Sequence, residues 1–212
     1  MNFVLDNMTQ VDNLGELLAP LNVKYVILVN EADYESYNFL YHQTDINIVL
    51  EKTGITLFKN EHATARAYGV DSLVYIDSLE EYLELSKTQD VMEHLYIIED
   101  GQSGDDSSTQ IEKLTVKAKN PVNYQIEGTT NRYTVFTVPQ NINTEYWEFN
   151  GQPPVVKNLG FMPVFTASYD GGEIVYTRFY RVYLPCYIIS ASTLSLMVYL
   201  YFRSTKGRAS GI

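Results

Sequence analysis

Residue types that commonly carry chemistry are scarce in this chain. Its 212 residues include a single cysteine, Cys186, so an intrachain disulfide is excluded. The three histidines, His42, His62 and His94, lie far apart, and no two of them have the spacing of metal ligands. Glycine-rich phosphate-binding loops, the G-x-S-x-G nucleophile motif and C-x-x-C do not occur. The sequence therefore predicts no metal site, no cofactor and no catalytic residue.

Positive charge is also in short supply. Lys and Arg number 15 against 26 Asp and Glu, which gives a net charge of −11. Proteins that bind nucleic acids neutralise phosphates with basic side chains, so this balance argues against a nucleic-acid partner. The first nine residues also lack the basic and apolar regions of a secretory signal peptide.

Charge of either sign is missing from residues 182–202. A helix of this length spans about 30 Å, which is the thickness of the hydrocarbon core of a bilayer. Tyr183, Tyr199 and Tyr201 lie near its ends, where amphipathic rings favour the membrane interface. Pro185 falls in the first turn, where a missing N–H is tolerated. The segment predicts a transmembrane helix, and the alternative is a buried core helix.

All charges that follow this segment are positive. The tail 203–212 contains Arg203, Lys206 and Arg208, whereas residues 1–181 carry 12 basic and 26 acidic side chains, a net charge of −14. Short basic segments tend to stay in the cytoplasm. We therefore expect a single-pass C-terminal anchor in the cell membrane, with a cytoplasmic tail and the bulk of the chain extracytoplasmic. Without a signal peptide, this orientation leaves two origins for the chain: it is the last part of a larger polytopic protein, or an internal start creates an apparent complete gene. A tail-anchored cytoplasmic protein with its basic tail outside is the third option.

The pattern of residues 1–98 predicts a small α/β domain. Apolar spacing and caps predict helices at 11–18, 33–42 and 79–85, the last of them capped by Ser78. Runs rich in β-branched residues predict strands at 23–29, 46–51, 55–59 and 94–98. The first of these strands is almost continuously apolar, which is typical of a buried strand.

A polar segment rich in Gly and Ser, residues 99–110, predicts a linker. Beyond it, residues 111–181 predict an antiparallel β-sandwich because short strand patterns alternate with turn signals. The predicted strands include 122–126, 133–138, 146–149, 161–166 and 174–182. The predicted fold class is thus α+β: a small α/β domain, then the sandwich, then the C-terminal transmembrane helix 182–202.

Five short motifs occur in the order seen in one family of membrane proteins. They are residues 17–27, with two leucines before V-K-Y-V-I, residues 55–60, the Arg-Ala segment 65–68, the aromatic strand and turn 146–153, and residues 159–164. In this order they resemble YfhO-like polytopic membrane proteins, which are related to the glycosyltransferases that use lipid-linked sugars. The resemblance implies that the chain is the extracytoplasmic C-terminal region of such a protein with its last transmembrane helix. In that family the catalytic acids lie between upstream helices, so the resemblance implies no catalytic residue in this chain.

Three residues remain as candidates for a site. Trp147 and its neighbour Tyr146 could contact a glycan by stacking on a sugar ring, although a single Trp in a strand is more commonly a core residue. Arg66, in the matching Arg-Ala segment, could bind an anion or bridge the two domains, and the structural role is favoured.

Two classes of function follow from these observations. The first is a non-catalytic accessory domain of a glycosyltransferase-like membrane protein, which would position a glycan or acceptor. The second is a membrane-anchored cell-surface or envelope protein that acts through protein contacts or self-assembly. The predicted partners are the lipid bilayer, a polytopic membrane subunit and a glycan. An enzyme encoded by this chain alone is a third and less favoured interpretation, because no acid/base pair is recognisable in residues 1–181.

Overall fold

The computed structural model describes residues 11–29, 31, 34–99, 111–137 and 143–209, and for residues 202–209 it describes only the backbone. The fold is α+β, as the sequence predicted, with several antiparallel sheets and one long C-terminal apolar helix. The α-helices of the described residues are α1 (Leu14–Leu18), α2 (Leu79–Ser86) and α3 (Leu184–Ala209). Single 3₁₀ segments lie at Ala19–Leu21, Tyr34–His42 and Thr144–Tyr146, and a π turn at Phe179–Tyr183 leads into α3.

The strands of the described residues form four sheets. They are β1 (Tyr25–Val29), β2 (Ile46–Lys52), β3 (Ile55–Asn60), β4 (Ala67–Val70), β5 (Ser72–Ile76), β6 (His94–Ile98), β7 (Glu112–Leu114), β8 (Val116–Asn120), β9 (Asn123–Ile126), β10 (Tyr133–Phe136), β11 (Trp147–Phe149), β12 (Val156–Asn158), β13 (Met162–Thr166) and β14 (Gly172–Tyr176). The central sheet has the order β12-β13-β10-β4-β7 and the outer sheet the order β11-β14-β9-β8. A three-stranded sheet β1-β3-β2 and a parallel pair β5-β6 complete the set.

The central sheet is buried on both of its faces. Successive residues of its middle strands point in opposite directions, so Val135 joins one apolar cluster and Phe136 the other. Val164 and Phe165 of β13 divide in the same way, and all four are at most 1% exposed. This burial explains why the middle strands β4, β10 and β13 carry no charged residue.

One face of the central sheet packs against the outer sheet. The cluster between them combines Phe136 and Phe165 from the central sheet with Trp147, Ile174 and other residues from the outer sheet. Two antiparallel sheets enclosing an aromatic core form a β-sandwich. This part of the predicted fold is confirmed.

The other face packs against the helices, the parallel pair and the three-stranded sheet. A buried amide joins the central sheet to the parallel pair. Asn158 of β12 accepts a hydrogen bond from the Tyr96 N–H of β6 (2.8 Å) and donates one to the Tyr68 hydroxyl of β4 (3.2 Å). The next residue, Leu159, donates its N–H to the Tyr96 carbonyl at 2.7 Å. The β12–β13 hairpin therefore docks directly on β6.

Strand β4 connects the two segments that the sequence analysis divided at residues 99–110. It comes from the predicted α/β segment, yet it pairs with β10 on one side and β7 on the other. The two predicted segments thus share one sheet. Of the predicted linker, only Glu99 lies among the described residues.

Strand β1 forms as predicted, but the prediction that it is buried was wrong. Tyr25, Ile27 and Val29 are more than half exposed, and only Leu28 is buried. The reason is position: β1 is an edge strand of a sheet whose core lies on one face only. The predicted helix at 33–42 is instead a 3₁₀ segment with a kink at Tyr37.

The last strand ends earlier than predicted. Strand β14 stops at Tyr176, which pairs with Trp147, the first residue of β11. No described strand lies beside the chain beyond Tyr176, so its N–H and C=O groups are satisfied by helical turns. The π turn Phe179–Tyr183 therefore starts before residue 182, where the helix was predicted to begin.

The C-terminal helix is long and apolar enough to cross a membrane. The candidate span runs from Phe179 to Tyr201, and none of its most apolar window is buried by the described part of the chain. The backbone of α3 continues to Ala209, so most of the predicted tail 203–212 is helical. This helix therefore lacks the protein contacts of a core helix.

Candidate functional site at the junction of the sandwich and the C-terminal helix

The chain becomes helical directly after β14, because Thr177 and Arg178, which follow Tyr176, already have a helical backbone. Thr177 is buried, and its hydroxyl donates a hydrogen bond to the Tyr146 carbonyl at 3.0 Å. The same Tyr146 ends the 3₁₀ turn that precedes β11, and that turn is capped by the Asn143 side chain, which accepts the Glu145 N–H. The point where the chain leaves the sheet is thus fixed to the neighbouring strand.

Arg178 lies between an aromatic ring of the sandwich and one of the helix. Its guanidinium carbon is 4.9 Å from the centre of the Tyr146 ring and 5.7 Å from that of Tyr183. Both distances are in the range of cation–π attraction. No described Asp or Glu forms an ion pair with this arginine.

Arg181, about one turn further along, behaves differently. Its guanidinium is 2.9 Å from Glu148 Oε1, and the Glu148 side chain is only 18% exposed. Tyr180 is held by Asn120, whose amide donates to the phenol oxygen at 3.4 Å. Two strands of the outer sheet, β8 and β11, therefore contact the start of the helix.

Trp147 is a core residue. It is 1% exposed, and its ring lies within 6 Å of the rings of Tyr124, Phe136 and Tyr176. Its indole N–H is buried without a partner among the described residues. In this conformation the ring offers no face to a sugar. Tyr146, the last residue of the 3₁₀ turn before β11, is half-buried, lies edge-on to the Tyr176 ring and contacts Arg178.

Arg66 is exposed and lies over the ring of Tyr124, with 5.2 Å between its guanidinium carbon and the ring centre. Because Tyr124 also contacts Trp147, the structure brings Arg66 close to the aromatic core of the sandwich. Its backbone carbonyl accepts the Thr137 N–H at 2.8 Å, which continues the pairing of β4 with β10. These contacts describe a structural role.

The three-stranded sheet carries a second uncovered apolar surface. On its outer face, Ile27 pairs with Leu57 and Val29 pairs with Ile55. Leu50 of β2 also pairs with Leu57 and is 40% exposed. The only positive charge that pairs with β1 here is Lys59, which forms an ion pair with Glu61.

Two other sets of polar side chains, a buried Ser–His pair and the lining of a surface depression, do not form a functional site. Ser72 and His94 share a hydrogen bond of 2.8 Å between Oγ and Nδ1, but both side chains are buried across the parallel pair β5-β6. An open depression lined by Asp12, Glu16 and Lys87 lies between α1 and α2. Among the described residues, no three His, Cys, Asp or Glu side chains are placed to hold a metal ion.

Three tyrosines in the core of the α/β side have raised pKa values. Burial raises the pKa of Tyr96 to about 12, against the ordinary value of 10.0. Burial also raises the pKa of Tyr68 and of Tyr82, because the phenolate would lose its hydration. These groups are neutral under ordinary conditions and serve as packing and hydrogen-bonding residues.

Comparisons with protein-family models, with curated proteins and with solved structures found no match to this chain. The interpretation of the junction therefore rests on its geometry. Sequence reasoning selected Tyr146 but missed Arg178, Tyr183 and Glu148. The signal available was the spacing of Arg178 and Arg181, which places both on the first turns of the helix once the strand is known to end at Tyr176.

Proposed function

We propose that this chain is a membrane-anchored, non-catalytic domain that the C-terminal helix holds against the bilayer surface. The observation that carries the proposal is that the described part of the chain buries none of the most apolar window of the helix Phe179–Tyr201. A helix satisfies its own backbone hydrogen bonds, so lipid can cover it at no cost in unpaired groups. In water the same surface would be an exposed apolar patch far larger than soluble monomers tolerate.

The charge distribution supports an orientation. The basic residues Arg203, Lys206 and Arg208 follow the helix, while the acidic domain precedes it, so we place the tail in the cytoplasm and the domain outside. Protease added to right-side-out vesicles is expected to digest the domain and spare the tail. Protection of the domain together with cleavage of the tail would reverse the orientation.

Two finer roles remain as proposals. The resemblance to YfhO-like proteins supports an accessory role beside a polytopic glycosyltransferase-like subunit. The uncovered face around Ile27 and Val29 supports a protein partner over a glycan, since Trp147 offers no stacking surface. Photo-crosslinking from position 27 in native membranes distinguishes the two: a polytopic partner supports the first role, and a second copy of this chain supports self-assembly.

Membrane anchoring is tested by extraction. The full chain is expected to stay with membranes through an alkaline carbonate wash and to dissolve only in detergent. A variant that lacks residues 184–212 keeps the contacts of Arg178, Tyr183 and Arg181, and it is expected to be soluble with unchanged β-sheet circular dichroism. Release of the full chain by carbonate, or loss of the β-sheet signal in the truncated variant, would contradict the proposal.

A further inference from the structure

At the junction, the Arg178 guanidinium contacts two aromatic rings but no described carboxylate. Guanidinium presents five N–H donors, and the two tyrosine rings that it contacts attract its charge without taking the place of a carboxylate. The nearby acids have other partners: Glu148 pairs with Arg181 at 2.9 Å, and Glu145 pairs with Lys157 at 3.4 Å. The charge of Arg178 is therefore not matched by a described carboxylate.

The position of Arg178 along the helix places it at the level of lipid headgroups. The uncharged residues 182–202 form a segment of about 31 Å, which matches a hydrocarbon core of about 30 Å. Arg178 comes four residues earlier, about 6 Å along the axis. Headgroup layers add about 5–7 Å on each side of the core. Arg178 thus lies in the layer that contains the lipid phosphates.

On this basis, and resting on the anchoring proposed above, we propose that the Arg178 guanidinium binds the phosphate of a phospholipid headgroup. The planar fork of an arginine matches two oxygens of a phosphate, and a partly buried setting strengthens such charge-assisted bonds. Tyr146 belongs to the sandwich and Tyr183 to the helix, so the bound lipid would sit at the joint between them. Lipid binding there would hold an acidic domain at an anionic surface that otherwise repels it.

The test measures contact between arginine carbon and lipid phosphorus. The full chain, with ¹³C-labelled arginine, is reconstituted into vesicles of phosphatidylcholine and phosphatidylglycerol, and ¹³C–³¹P dipolar dephasing is recorded by solid-state NMR. The difference between the wild-type and Arg178→Gln spectra isolates the Arg178 signal. We expect that signal to be dephased by phosphorus. The matched control, Arg132→Gln, removes an arginine that stacks on Tyr133 away from the junction, and its difference signal is expected to show no dephasing.

Two further experiments test whether the phosphate comes from a lipid and whether the neighbouring ring of Tyr183 supports the site. In maltoside micelles with inorganic phosphate in place of phospholipid, we expect no dephasing of the Arg178 signal. Dephasing equal to that in vesicles would show that Arg178 binds free phosphate and would overturn the proposal of a lipid headgroup. Tyr183→Leu, on the exposed helix, removes one of the two rings beside Arg178 and is expected to reduce the phosphorus dephasing of the total arginine signal while the fold is retained. This comparison with wild type needs no subtraction, so it tests the site even if Arg178→Gln does not fold. An Arg178 signal without dephasing in vesicles would overturn the site. Flotation of the same vesicles separates this from a failure of anchoring, because an anchored chain floats whether or not Arg178 binds phosphate.

Discussion

The central sheet and the C-terminal helix both carry many apolar side chains, but their surroundings are opposite. Val135, Phe136 and Val164 of the sheet are at most 1% exposed, whereas Ile189, Leu194 and Tyr201 of the helix are each more than 60% exposed. A strand must find its hydrogen-bond partners in neighbouring strands, so an apolar strand is buried in a sheet. A helix pairs its own backbone groups and can stand alone in lipid. The amino-acid composition therefore indicates how much of the surface is apolar. The way in which the backbone pairs its hydrogen-bonding groups decides whether protein or lipid covers that surface.

The largest expected effect comes from cutting a core side chain of the sandwich. Trp147→Ala removes a fully buried ring and is expected to lower the free energy of unfolding by about 3–5 kcal/mol. Leu194→Ala is the matched change on the helix, and it is expected to alter the unfolding of the sandwich by less than about 0.5 kcal/mol. Urea unfolding of both variants in maltoside micelles, followed by near-ultraviolet circular dichroism, measures the two values. Equal losses would mean that the helix is part of the folded core.

A somewhat smaller loss is expected at the Asn158 amide, which joins the central sheet to β6. Asn158→Leu leaves the Tyr96 N–H without its acceptor and the Tyr68 hydroxyl without its donor. Each orphaned buried group costs about 1–3 kcal/mol. Asn47→Leu on the exposed face of β2 is the control, with an expected change within about 0.5 kcal/mol. If Asn158→Leu unfolded at the wild-type urea concentration, the hairpin would not be docked on β6 in solution.

Alkaline pH should act on the buried core and spare the helix. The folded pKa of Tyr96 is about 12, raised by burial from an unfolded value of 10.0. A raised pKa means that the stability is fully present below pH 10 and is lost as pH rises through 12. We therefore expect the urea midpoint to fall above pH 10, and to fall less steeply in Tyr96→Phe. A wild-type midpoint that stayed constant across this range would show that Tyr96 titrates as an exposed phenol.

The smallest effect is expected at the ion pair between the outer sheet and the C-terminal helix. Glu148→Gln removes the carboxylate that contacts Arg181, whose side chain is largely exposed, so the loss is expected to be about 0.2–1 kcal/mol. Salt should remove most of the difference between wild type and variant. The matched change Glu127→Gln affects the pair with Lys117, which is 3.8 Å apart and exposed on both sides, and we expect no measurable loss. A loss above about 2 kcal/mol would place the pair in a far less solvated setting.

The sequence was a good guide where a local signal determines structure. Ser78 caps α2 as predicted, accepting the Glu81 N–H, and the apolar run 182–202 lies within the long helix. Strand β4 was missed, because both of its faces are buried and Gly69 interrupts its pattern. A side chain at Gly69 would collide with Thr129 and Asn131, which come from a distant loop. No window of sequence around residue 69 contains that information.

The candidate site was predictable only in part, because its geometry also depends on contacts between residues that are distant in sequence. Trp147 and Tyr146 were selected by residue type, but the burial of Trp147 depends on the pairing of β11 with β14, and Tyr146 lies in the 3₁₀ turn before that strand. The prediction that residues 174–182 form one strand hid Arg178, because in a strand it would point away from Tyr183. The end of β14 is set by the lengths of its neighbours, β9 and β11, which are far away in sequence.

The placement of β4 has a consequence for the order of events during synthesis. Residues 67–70 pair with residues 133–136, which leave the ribosome about 65 residues later, or roughly 3–13 s at ordinary elongation rates. Until then the apolar strand has no partner on that side, and the outer sheet waits for β14, which ends at Tyr176. The domain therefore completes its fold at almost the moment when the apolar helix begins to emerge. Slow codons placed after Ile98 would prolong the life of an unpaired strand, whereas slow codons after Tyr176 would give a finished domain time to close before the helix arrives.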